Sequence, residues 1–125
     1  MGFVMRLHHV AIIVGDLDRS SRFYEGVLGL RLDPRPDLGF PGFFYALGNG
    51  QQLHLMQIDD PYDGCEKPSH GGRDHHFALT TDNLESLIDR LDAQSIIYTK
   101  SRSGRAAIFF RDPDGNAIEV IQSKG

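Results

Sequence analysis

The chain has 125 residues, one cysteine and a formal net charge of −4 with neutral histidines. This length favours a single domain, and a lone cysteine, Cys65, excludes an internal disulfide and is typical of a reducing compartment. The acidic balance excludes a basic surface for nucleic acid or an anionic membrane. The apolar residues 3–14 are interrupted by Arg6, His8 and His9 and no small-residue cleavage site follows them, so we expect a cytoplasmic protein.

The predicted elements then follow the same order twice along the chain. Residues 7–14 are apolar and β-branched and predict a strand, and residues 17–28 show helical spacing that Gly29 would end. A loop rich in proline and glycine, residues 59–73, separates the two halves. The other predicted strands cover residues 31–33, 43–47 and 52–58 before this loop and residues 75–80, 96–99, 106–110 and 117–121 after it, with a second helix over residues 84–93.

The second half of the sequence repeats the first. Residues 75–79 (HHFAL) align with residues 8–12 (HHVAI) at an offset of 76 − 9 = 67 positions, and residues 118–122 (IEVIQ) align with residues 53–57 (LHLMQ) at an offset of 119 − 54 = 65. The chain is therefore interpreted as an α+β fold made by tandem duplication of one βαβββ unit. We place both copies in a single domain, residues 1–125, with module 1 over about residues 5–58 and module 2 over about residues 74–123.

Four titratable residues occupy matched positions in the two modules. Glu119 interrupts an apolar strand, where an isolated charge must be paired, hydrogen-bonded or bound to a cation, and its counterpart is His54. His9 and His76 match each other on the first strand of each module and share their faces with small residues, which leaves room for a ligand. Three imidazoles and one carboxylate suit a divalent first-row metal, so these four residues are the predicted metal ligands.

Each of these residues also has a structural interpretation. A single histidine on an apolar strand is usually satisfied within the core, and Glu119 could form a salt bridge with Arg105 or Arg111. The neighbouring His8 and His75, which share faces with larger core residues, and His70 in the long loop are interpreted as structural or surface residues.

Four segments carry a resemblance to a known family: HHVAIIVGDLDRSSRFYEGVLGL, LHLMQ, DHHFALTTDNL and FFRDPDGNAIEVIQ. Together they cover nearly the whole chain and resemble the vicinal oxygen chelate superfamily, which includes glyoxalase I, fosfomycin-resistance transferases, methylmalonyl-CoA epimerase, extradiol dioxygenases and bleomycin-resistance proteins. The resemblance implies curved half-barrel sheets around one divalent metal ion (Zn, Ni, Co, Mn or Fe), commonly in a homodimer. By position, the metal ligands of glyoxalase I fall on His9, His54, His76 and Glu119.

The sequence departs from its best-known relatives at particular positions. Glyoxalase I usually has a glutamate at the position of His54 and a glutathione-binding arginine at the position of Ile13. The potassium-binding loop of the fosfomycin transferases is not reproduced in residues 100–105 (KSRSGR). The resemblance therefore implies the superfamily more strongly than one substrate.

The resemblance and the four residues together predict a glyoxalase-like lyase or isomerase. Its small oxygenated substrate would react through an enolate or alkoxide chelated by the divalent metal. Glu119 is the predicted ligand that can also act as a general base, as its counterpart does in glyoxalase I. The predicted substrate-binding residues are Arg73, Arg102, Arg105, Ile13 and Met56.

Three alternative functions remain at this stage. A thiol or epoxide transferase of the fosfomycin-resistance type is disfavoured by the missing potassium loop. An Fe(II) dioxygenase needs an open position that His54 would occupy. A metal-free protein that sequesters a drug or metabolite is disfavoured by the presence of all four ligand positions.

Overall fold

The computed structural model describes residues 2–124 and divides the chain into two compact units, Met1–Pro61 and Tyr62–Gly125. Each unit holds one open, mixed sheet of four strands, with one parallel strand pair and two antiparallel pairs. The predicted α+β fold of two βαβββ modules is confirmed. The assignment of both modules to a single domain stays a prediction.

Unit 1 runs strand, helix and then three strands, in the sheet order β1-β4-β3-β2. Its parallel pair joins the first and last strands of the unit, so the connection through the helix crosses over the sheet. Its elements are β1 (His9–Val14), α1 (Leu17–Ser21) with a π-helical continuation (Arg22–Val27), β2 (Arg31–Asp33), β3 (Gly42–Gly48) and β4 (Gln51–Gln57).

Unit 2 has the same order, with its sheet arranged as β5-β8-β7-β6. No helix within residues 2–124 has the length and apolar composition that a membrane crossing requires. The elements of unit 2 are a 3₁₀ turn (Gly71–Arg73), β5 (His76–Thr81), α2 (Leu84–Ala93), β6 (Tyr98–Lys100), β7 (Ala107–Arg111) and β8 (Ala117–Gln122).

Each unit contains the same kind of side-chain hydrogen bond, at repeat-related positions. The Gln57 side-chain oxygen, at the end of β4, accepts from the backbone N–H of Leu17 at 2.9 Å. The Gln122 side-chain oxygen, at the end of β8, accepts from the backbone N–H of Leu84 at 2.9 Å. Both bonds satisfy an unpaired amide in the first turn of a helix and join that helix to its sheet. The repeat seen in the sequence is therefore also a repeat of individual contacts.

The first helix changes its hydrogen-bond pattern half-way. Leu17–Ser21 is α-helical, whereas Arg22–Val27 is π-helical, and the N–H of Leu28 donates to the carbonyl of Phe23, five residues earlier, at 3.1 Å. Gly29 follows with a φ of 70° and ends the helix. The predicted helix over residues 17–28 is therefore present, but its change to a π-helical pattern was not predicted, because residue spacing does not show which carbonyl each amide donates to.

One face of each sheet forms the apolar core of its unit. Tyr45, Leu53 and Leu55 are almost fully buried in unit 1, where the Tyr45 hydroxyl donates to Glu25 of the first helix at 2.9 Å. Ile118 of β8 is fully buried in unit 2. Burial of these side chains supplies most of the driving force for folding. The opposite face of the second sheet is also partly apolar, since Phe109 and Ala117 are buried there beside Glu119.

The hairpin between β7 and β8 is held by Asp112, which is almost fully buried. One carboxylate oxygen of Asp112 accepts from the backbone N–H groups of Asp114 and Asn116, both at 2.9 Å, and the other accepts from the Asn116 side-chain amide at 2.9 Å. Gly115 has a φ of 86°, which a residue with a side chain rarely adopts. The DPDG turn therefore depends on both its first aspartate and its glycine.

The loop before β5 is joined to this hairpin by Arg111. The guanidinium of Arg111 donates to the Asp74 carboxylate at 2.8 Å and to the carbonyls of Pro68 at 2.6 Å and Gly115 at 2.8 Å. The loop was predicted to be irregular, and it contains one short 3₁₀ turn, Gly71–Arg73, as an exception. Arg111 thus fixes the loop to the end of β7.

The start of β6 differs from the prediction. The predicted strand begins at Ile96, but the strand in the structure is Tyr98–Lys100. Ser95 has a φ of 56°, and the N–H of Ile96 donates back to the carbonyl of Leu91 at 2.8 Å. Ile96 therefore belongs to the C-terminal closure of α2 rather than to the sheet.

Candidate functional site

The four predicted ligands occupy equivalent positions in the two sheets. In unit 1, His54 of β4 pairs with Ala11 of β1, and His9 lies two residues before Ala11. In unit 2, Glu119 of β8 pairs with Ala78 of β5, and His76 lies two residues before Ala78. Because alternate strand residues share a face, the two side chains of each pair project from the same face of their sheet.

In unit 2, the side chains of His76 and Glu119 face each other. The His76 Nε2 lies 3.4 Å from a carboxylate oxygen of Glu119, whose side chain is only 4% exposed. The His76 Nδ1 lies 2.9 Å from the carbonyl oxygen of Asp74. A carbonyl can only accept, so Nδ1 carries the proton, and the Nε2 of a neutral ring presents a lone pair to the carboxylate. Two acceptors in this arrangement require a proton or a cation between them.

The separation of these two atoms suits a shared metal ion. Ligand bonds of about 2.1 Å at a tetrahedral ion place neighbouring donor atoms about 3.4 Å apart. The observed distance between His76 Nε2 and Glu119 Oε1 is 3.4 Å. The carbonyl of Asp74 fixes the His76 tautomer from the far side of the ring, as the outer hydrogen bonds of metal-binding histidines do.

The second oxygen of Glu119 is close to Arg105. The Arg105 guanidinium lies 3.4 Å from that oxygen, and the Arg105 side chain is 59% exposed. Ser103 orders this arginine, because its hydroxyl accepts from the Arg105 Nε at 3.1 Å and from the Arg105 backbone N–H at 3.3 Å. The Ser101 hydroxyl lies 2.7 Å from that of Ser103. Arg105 therefore places a solvent-accessible positive charge next to the buried carboxylate of Glu119.

The other two arginines predicted to bind substrate, Arg102 and Arg73, influence the pKa of His70. Burial lowers the pKa of His70, and the charges of Arg102 and then Arg73 lower it further. His70 is buried, forms a 2.7 Å hydrogen bond with the Thr99 hydroxyl, and packs edge-on against Phe109 at 4.9 Å between ring centroids. Phe109 also packs edge-on against His76 at 5.1 Å. His70 therefore belongs to the wall around the His76 side chain.

Sequence reasoning did not place His70 next to the site, but a signal was present in the two glycines that follow it. A Cβ added to Gly72 would lie 2.7 Å from the His70 Nε2, and one added to Gly71 would lie 3.4 Å from Phe109 and Ala117. Consecutive glycines after a histidine indicate that the backbone approaches other atoms closely. Here that approach brings the His70 ring onto Phe109.

In unit 1, three aromatic rings form a stack on the face that carries His9 and His54. The His54 ring lies 3.6 Å from the Phe44 ring with an interplanar angle of 10°, and 4.0 Å from the His9 ring with an angle of 14°. The guanidinium of Arg35 lies 5.8 Å from the Phe44 ring centroid. Lone pairs in the planes of parallel rings do not converge, so binding one ion by both histidines requires one ring to rotate.

His54 has a second set of contacts at the edge of its ring. Its Nε2 lies 2.9 Å from the side-chain oxygen of Gln52, and the Gln52 side-chain nitrogen donates to the Asp33 carboxylate at 2.9 Å. Burial lowers the pKa of His54, and the neighbouring His9, followed by His8 and Arg35, lowers it further. These effects favour the neutral form of the His54 imidazole, which is the form that binds metals.

The two apolar residues predicted to contact substrate lie directly beside each other. Ile13 of β1 pairs with Met56 of β4 in the parallel register. Both are partly buried, and both follow their ligand residues at alternate positions, so they share the face of His9 and His54. This places an apolar patch next to the stacked histidines.

Comparison with known proteins shows the family. The model of the Glyoxalase/Bleomycin resistance protein/Dioxygenase superfamily matches residues 6–120. The chain belongs to this superfamily. Its relatives include lactoylglutathione lyase of Haemophilus influenzae, which is 32% identical over 128 residues that cover 96% of this chain and 94% of the relative. Mitochondrial methylmalonyl-CoA epimerase of Homo sapiens is 33% identical over 130 residues that cover 94% of this chain and 74% of the relative.

A solved structure of the glyoxalase superfamily has the same fold. The crystal structure of a glyoxalase family protein from Bacillus anthracis aligns with a TM-score of 0.76 and 20% identity, covering 99% of each chain. The two sequence relatives are a lyase and an epimerase, which supports an enzyme of the lyase or isomerase type.

The predicted ligands are three imidazoles and one carboxylate, which are donor types that bind a divalent first-row metal. Within residues 2–124, no group of three or more histidine, cysteine, aspartate or glutamate side chains is arranged to hold an ion. The structure instead brings the predicted ligands together as two pairs, His9 with His54 and His76 with Glu119. The second pair has the donor separation of a metal site, and the first pair has the donor chemistry but a stacked geometry.

Proposed function

We propose that this protein is a metal-dependent lyase or isomerase of the glyoxalase type that acts on a small oxygenated substrate. The observation that carries the proposal is the facing pair of His76 Nε2 and Glu119 Oε1, 3.4 Å apart and buried on the carboxylate side. A buried carboxylate directed at an imidazole lone pair is costly unless a proton or a cation lies between them, and a divalent ion is the cation that we propose. The proposed ligand set also includes His9 and His54.

The reaction that this site favours is the transfer of a proton between neighbouring atoms of the substrate. A bound divalent ion would act as a Lewis acid that stabilises negative charge on substrate oxygens. Glu119 is the residue in the set that can accept a proton from carbon and return it, because carboxylates act as general bases when they are held next to the reacting atom. Its burial keeps water away from that proton.

Arg105 is the residue best placed to hold the substrate. Its guanidinium contacts Glu119 and is more than half exposed, so it can also donate to an incoming oxygen anion. The hydroxyl of Ser103 restricts the position of the arginine before the substrate arrives. A substrate carboxylate or oxyanion bound by Arg105 would lie next to the proposed base.

The proposal is tested first by metal content. Protein purified without chelator is measured by elemental mass spectrometry as wild type, Glu119→Ala and Glu85→Ala, the last being a control because Glu85 is an exposed residue of the second helix. We expect about one Ni, Zn, Co or Mn per wild-type and control chain and a large loss in Glu119→Ala. Absence of metal from all three proteins after reconstitution would contradict the proposal and favour a metal-free binding protein, whereas iron would favour a dioxygenase.

The second step tests the reaction. Metal-loaded protein is incubated in D₂O with 2-oxo compounds and with their thiol adducts, and exchange of the proton next to the carbonyl is followed by ¹H NMR. We expect enzyme-dependent exchange or isomerisation with a member of this set. A protein that binds metal but catalyses neither process with any of these compounds would overturn the assignment of the reaction while leaving the metal site intact.

A further inference from the structure

We propose that Arg35 binds a carboxylate group of the substrate, beside the Phe44 ring that stacks on His54 in unit 1. The inference rests on the proposed function and deepens it, because it assigns a chemical class to the substrate and a binding residue that no sequence pattern indicated. It is separate from the role proposed for Arg105 in unit 2, and all of the contacts that carry it lie within unit 1.

Arg35, in the connection between β2 and β3, is held in place by the chain itself. Its Nη2 donates to the carbonyl of Phe40 at 2.9 Å. The centre of the guanidinium lies 5.0 Å from the centroid of the Phe40 ring and 5.8 Å from that of Phe44, and a cation near an aromatic face is attracted by the ring. A Cβ added to Gly42 would lie 2.9 Å from Nη2, so this glycine leaves room for the guanidinium. The positive charge is therefore fixed next to the start of β3.

This positive charge has no counterion in the protein. Arg35 forms no ion pair within residues 2–124. The carboxylates nearest to it in the sequence take part in other hydrogen bonds: Asp33 accepts from the Gln52 side chain and Asp37 from the backbone N–H of Gly39, both at 2.9 Å. The Arg35 Nε is buried and has no hydrogen-bond acceptor in the same part of the chain. Partial burial of an unbalanced charge is costly, and a ligand anion would offset this cost.

The second module shows what the equivalent connection does when a carboxylate is present. Each module has an arginine between its second and third strands, Arg35 in unit 1 and Arg105 in unit 2. Arg105 lies 3.4 Å from the carboxylate of Glu119. At the position equivalent to Glu119, unit 1 has His54. A histidine cannot balance the charge of an arginine, so Arg35 is available for an anion from outside the chain.

The charge and shape of the guanidinium favour a carboxylate over a phosphate. One guanidinium balances one negative charge, and its planar fork matches the planar carboxylate. The pKa of His54 is lowered by burial, by His9 and His8 and by Arg35, so this imidazole adds little positive charge for a phosphate dianion. The rings of Phe40 and Phe44 offer apolar contact to the carbon atoms next to the carboxylate. We therefore expect a small monocarboxylate such as a 2-oxo acid.

Binding is measured by NMR on the whole chain treated with a chelator, so that metal takes no part. The probes are pyruvate, its neutral amide pyruvamide and inorganic phosphate. The side-chain Nε–H signal of Arg35 is identified by its absence from Arg35→Lys. We expect pyruvate to shift this signal until it saturates and pyruvamide to leave it in place. A signal that ignores pyruvate, moves equally with pyruvamide, or responds to phosphate at lower concentrations than to pyruvate would overturn the proposal.

Variants then test the charge at position 35. The backbone amide signal of Gly42, next to the guanidinium, reports binding when the arginine is replaced. We expect Arg35→Met to weaken pyruvate binding by about 10- to 100-fold, and Arg35→Lys to weaken it less, because lysine keeps the charge but not the planar fork. Arg31→Met is the matched control, because Arg31 is an exposed residue of β2 and its replacement removes the same charge. Wild-type affinity in Arg35→Met, or an equal loss in Arg31→Met, would overturn the proposal.

The carboxylate site and the metal-dependent reaction can fail separately. Metal-loaded Arg35→Met that exchanges the protons of a 2-oxo acid with wild-type KM would overturn the role of Arg35 and leave the proposed reaction intact. A wild-type protein that binds no metal but binds pyruvate through Arg35 would contradict the metal-dependent function and support the carboxylate site. If Arg35→Met does not fold, the wild-type titrations with pyruvate and pyruvamide decide the question alone.

Discussion

The residues of the candidate site show how one duplicated position can acquire two chemistries. His54 and Glu119 lie at the same place on the last strands of the two modules, but one is a stacked imidazole and the other is a buried carboxylate. A histidine in place of a carboxylate makes a metal site more positive by one unit, which strengthens its attraction for a substrate oxyanion. We therefore expect Glu119 to carry the base function alone.

Replacement of this carboxylate tests that role. We expect Glu119→Gln, which preserves shape and removes the charge, to reduce enzyme-catalysed exchange of substrate protons by at least about 100-fold. Glu85→Gln on the exposed face of α2 is the control and should exchange at the wild-type rate. The measurement is ¹H NMR in D₂O on protein with its metal content determined. Full exchange activity in Glu119→Gln with metal retained would show that another group is the base.

The hydroxyl that orders Arg105 should affect substrate binding more than turnover. Ser103→Ala removes two hydrogen bonds to Arg105, and we expect KM for a substrate carboxylate to rise about fivefold, which corresponds to ~1 kcal/mol, with little change in kcat. Ser86→Ala, on the second helix, is the control. An equal fall of kcat in Ser103→Ala would mean that Arg105 acts in the transition state rather than in binding.

At the scale of elements, the site depends on the turn and loop that flank β7 and β8. Asp112 accepts three hydrogen bonds inside the DPDG turn, and Arg111 joins the same turn to the loop that carries His70 and ends at Asp74. The carbonyl of Asp74 sets the tautomer of His76. A displacement of this loop would therefore alter the hydrogen bonding of His76 in the candidate site. The DPDG turn thus supports the loop that positions His76.

Loss of the Asp112 carboxylate should destabilise the fold. We expect Asp112→Ala to lower the free energy of unfolding by about 2 kcal/mol, because the amides of Asp114 and Asn116 lose a buried acceptor. Asp63→Ala, at an exposed position in the long loop, should change stability by less than about 0.5 kcal/mol. Urea unfolding followed by circular dichroism measures both. Equal midpoints for the two variants would contradict the structural role of the turn.

The ion pair between Arg111 and Asp74 predicts a pH dependence of stability. The hydrogen bond from Arg111 holds the pKa of Asp74 below its ordinary value of 3.8, with a smaller contribution from the backbone N–H of His75. A carboxyl with a lowered pKa in the folded state stabilises the fold above its unfolded pKa and loses this contribution as the pH falls through the folded pKa.

The difference in unfolding free energy between wild type and Asp74→Asn should therefore be constant from pH 7 to pH 5 and should shrink below about pH 4. Urea unfolding at pH 7, 5 and 3 measures this difference. A difference that grows as the pH falls would contradict the assigned pKa direction.

Parts of these elements could be predicted from sequence, for definite physical reasons. The period of two along strands placed His54 with Met56 and Glu119 with Ala117 on single faces, and the structure has the same alternation. The π-helical turn and the stacking of His9 on His54 were not predicted, because they depend on hydrogen-bond choice and side-chain rotation. Neither leaves a periodic signal in the sequence.

At the scale of the whole molecule, the duplication was predictable because both copies keep their residue offsets, and the family model and the sheet order bear it out.

The homodimer implied by the family stays a prediction. Phe3, Val4 and Met5 are at least 81% exposed, and an apolar segment of this kind favours association. Light scattering is expected to give twice the chain mass of 14.0 kDa, and a mass of one chain at micromolar concentration would contradict it.

The paired hydrogen bonds from Gln57 to Leu17 and from Gln122 to Leu84 bear on how such a chain arose. The same contact in both copies indicates that it existed before the gene was duplicated. A half-length ancestor would then already have had its helix joined to its sheet. Because each copy has its own helix joined to its own sheet, a site position can hold histidine in one copy and glutamate in the other without any change to the scaffold of either.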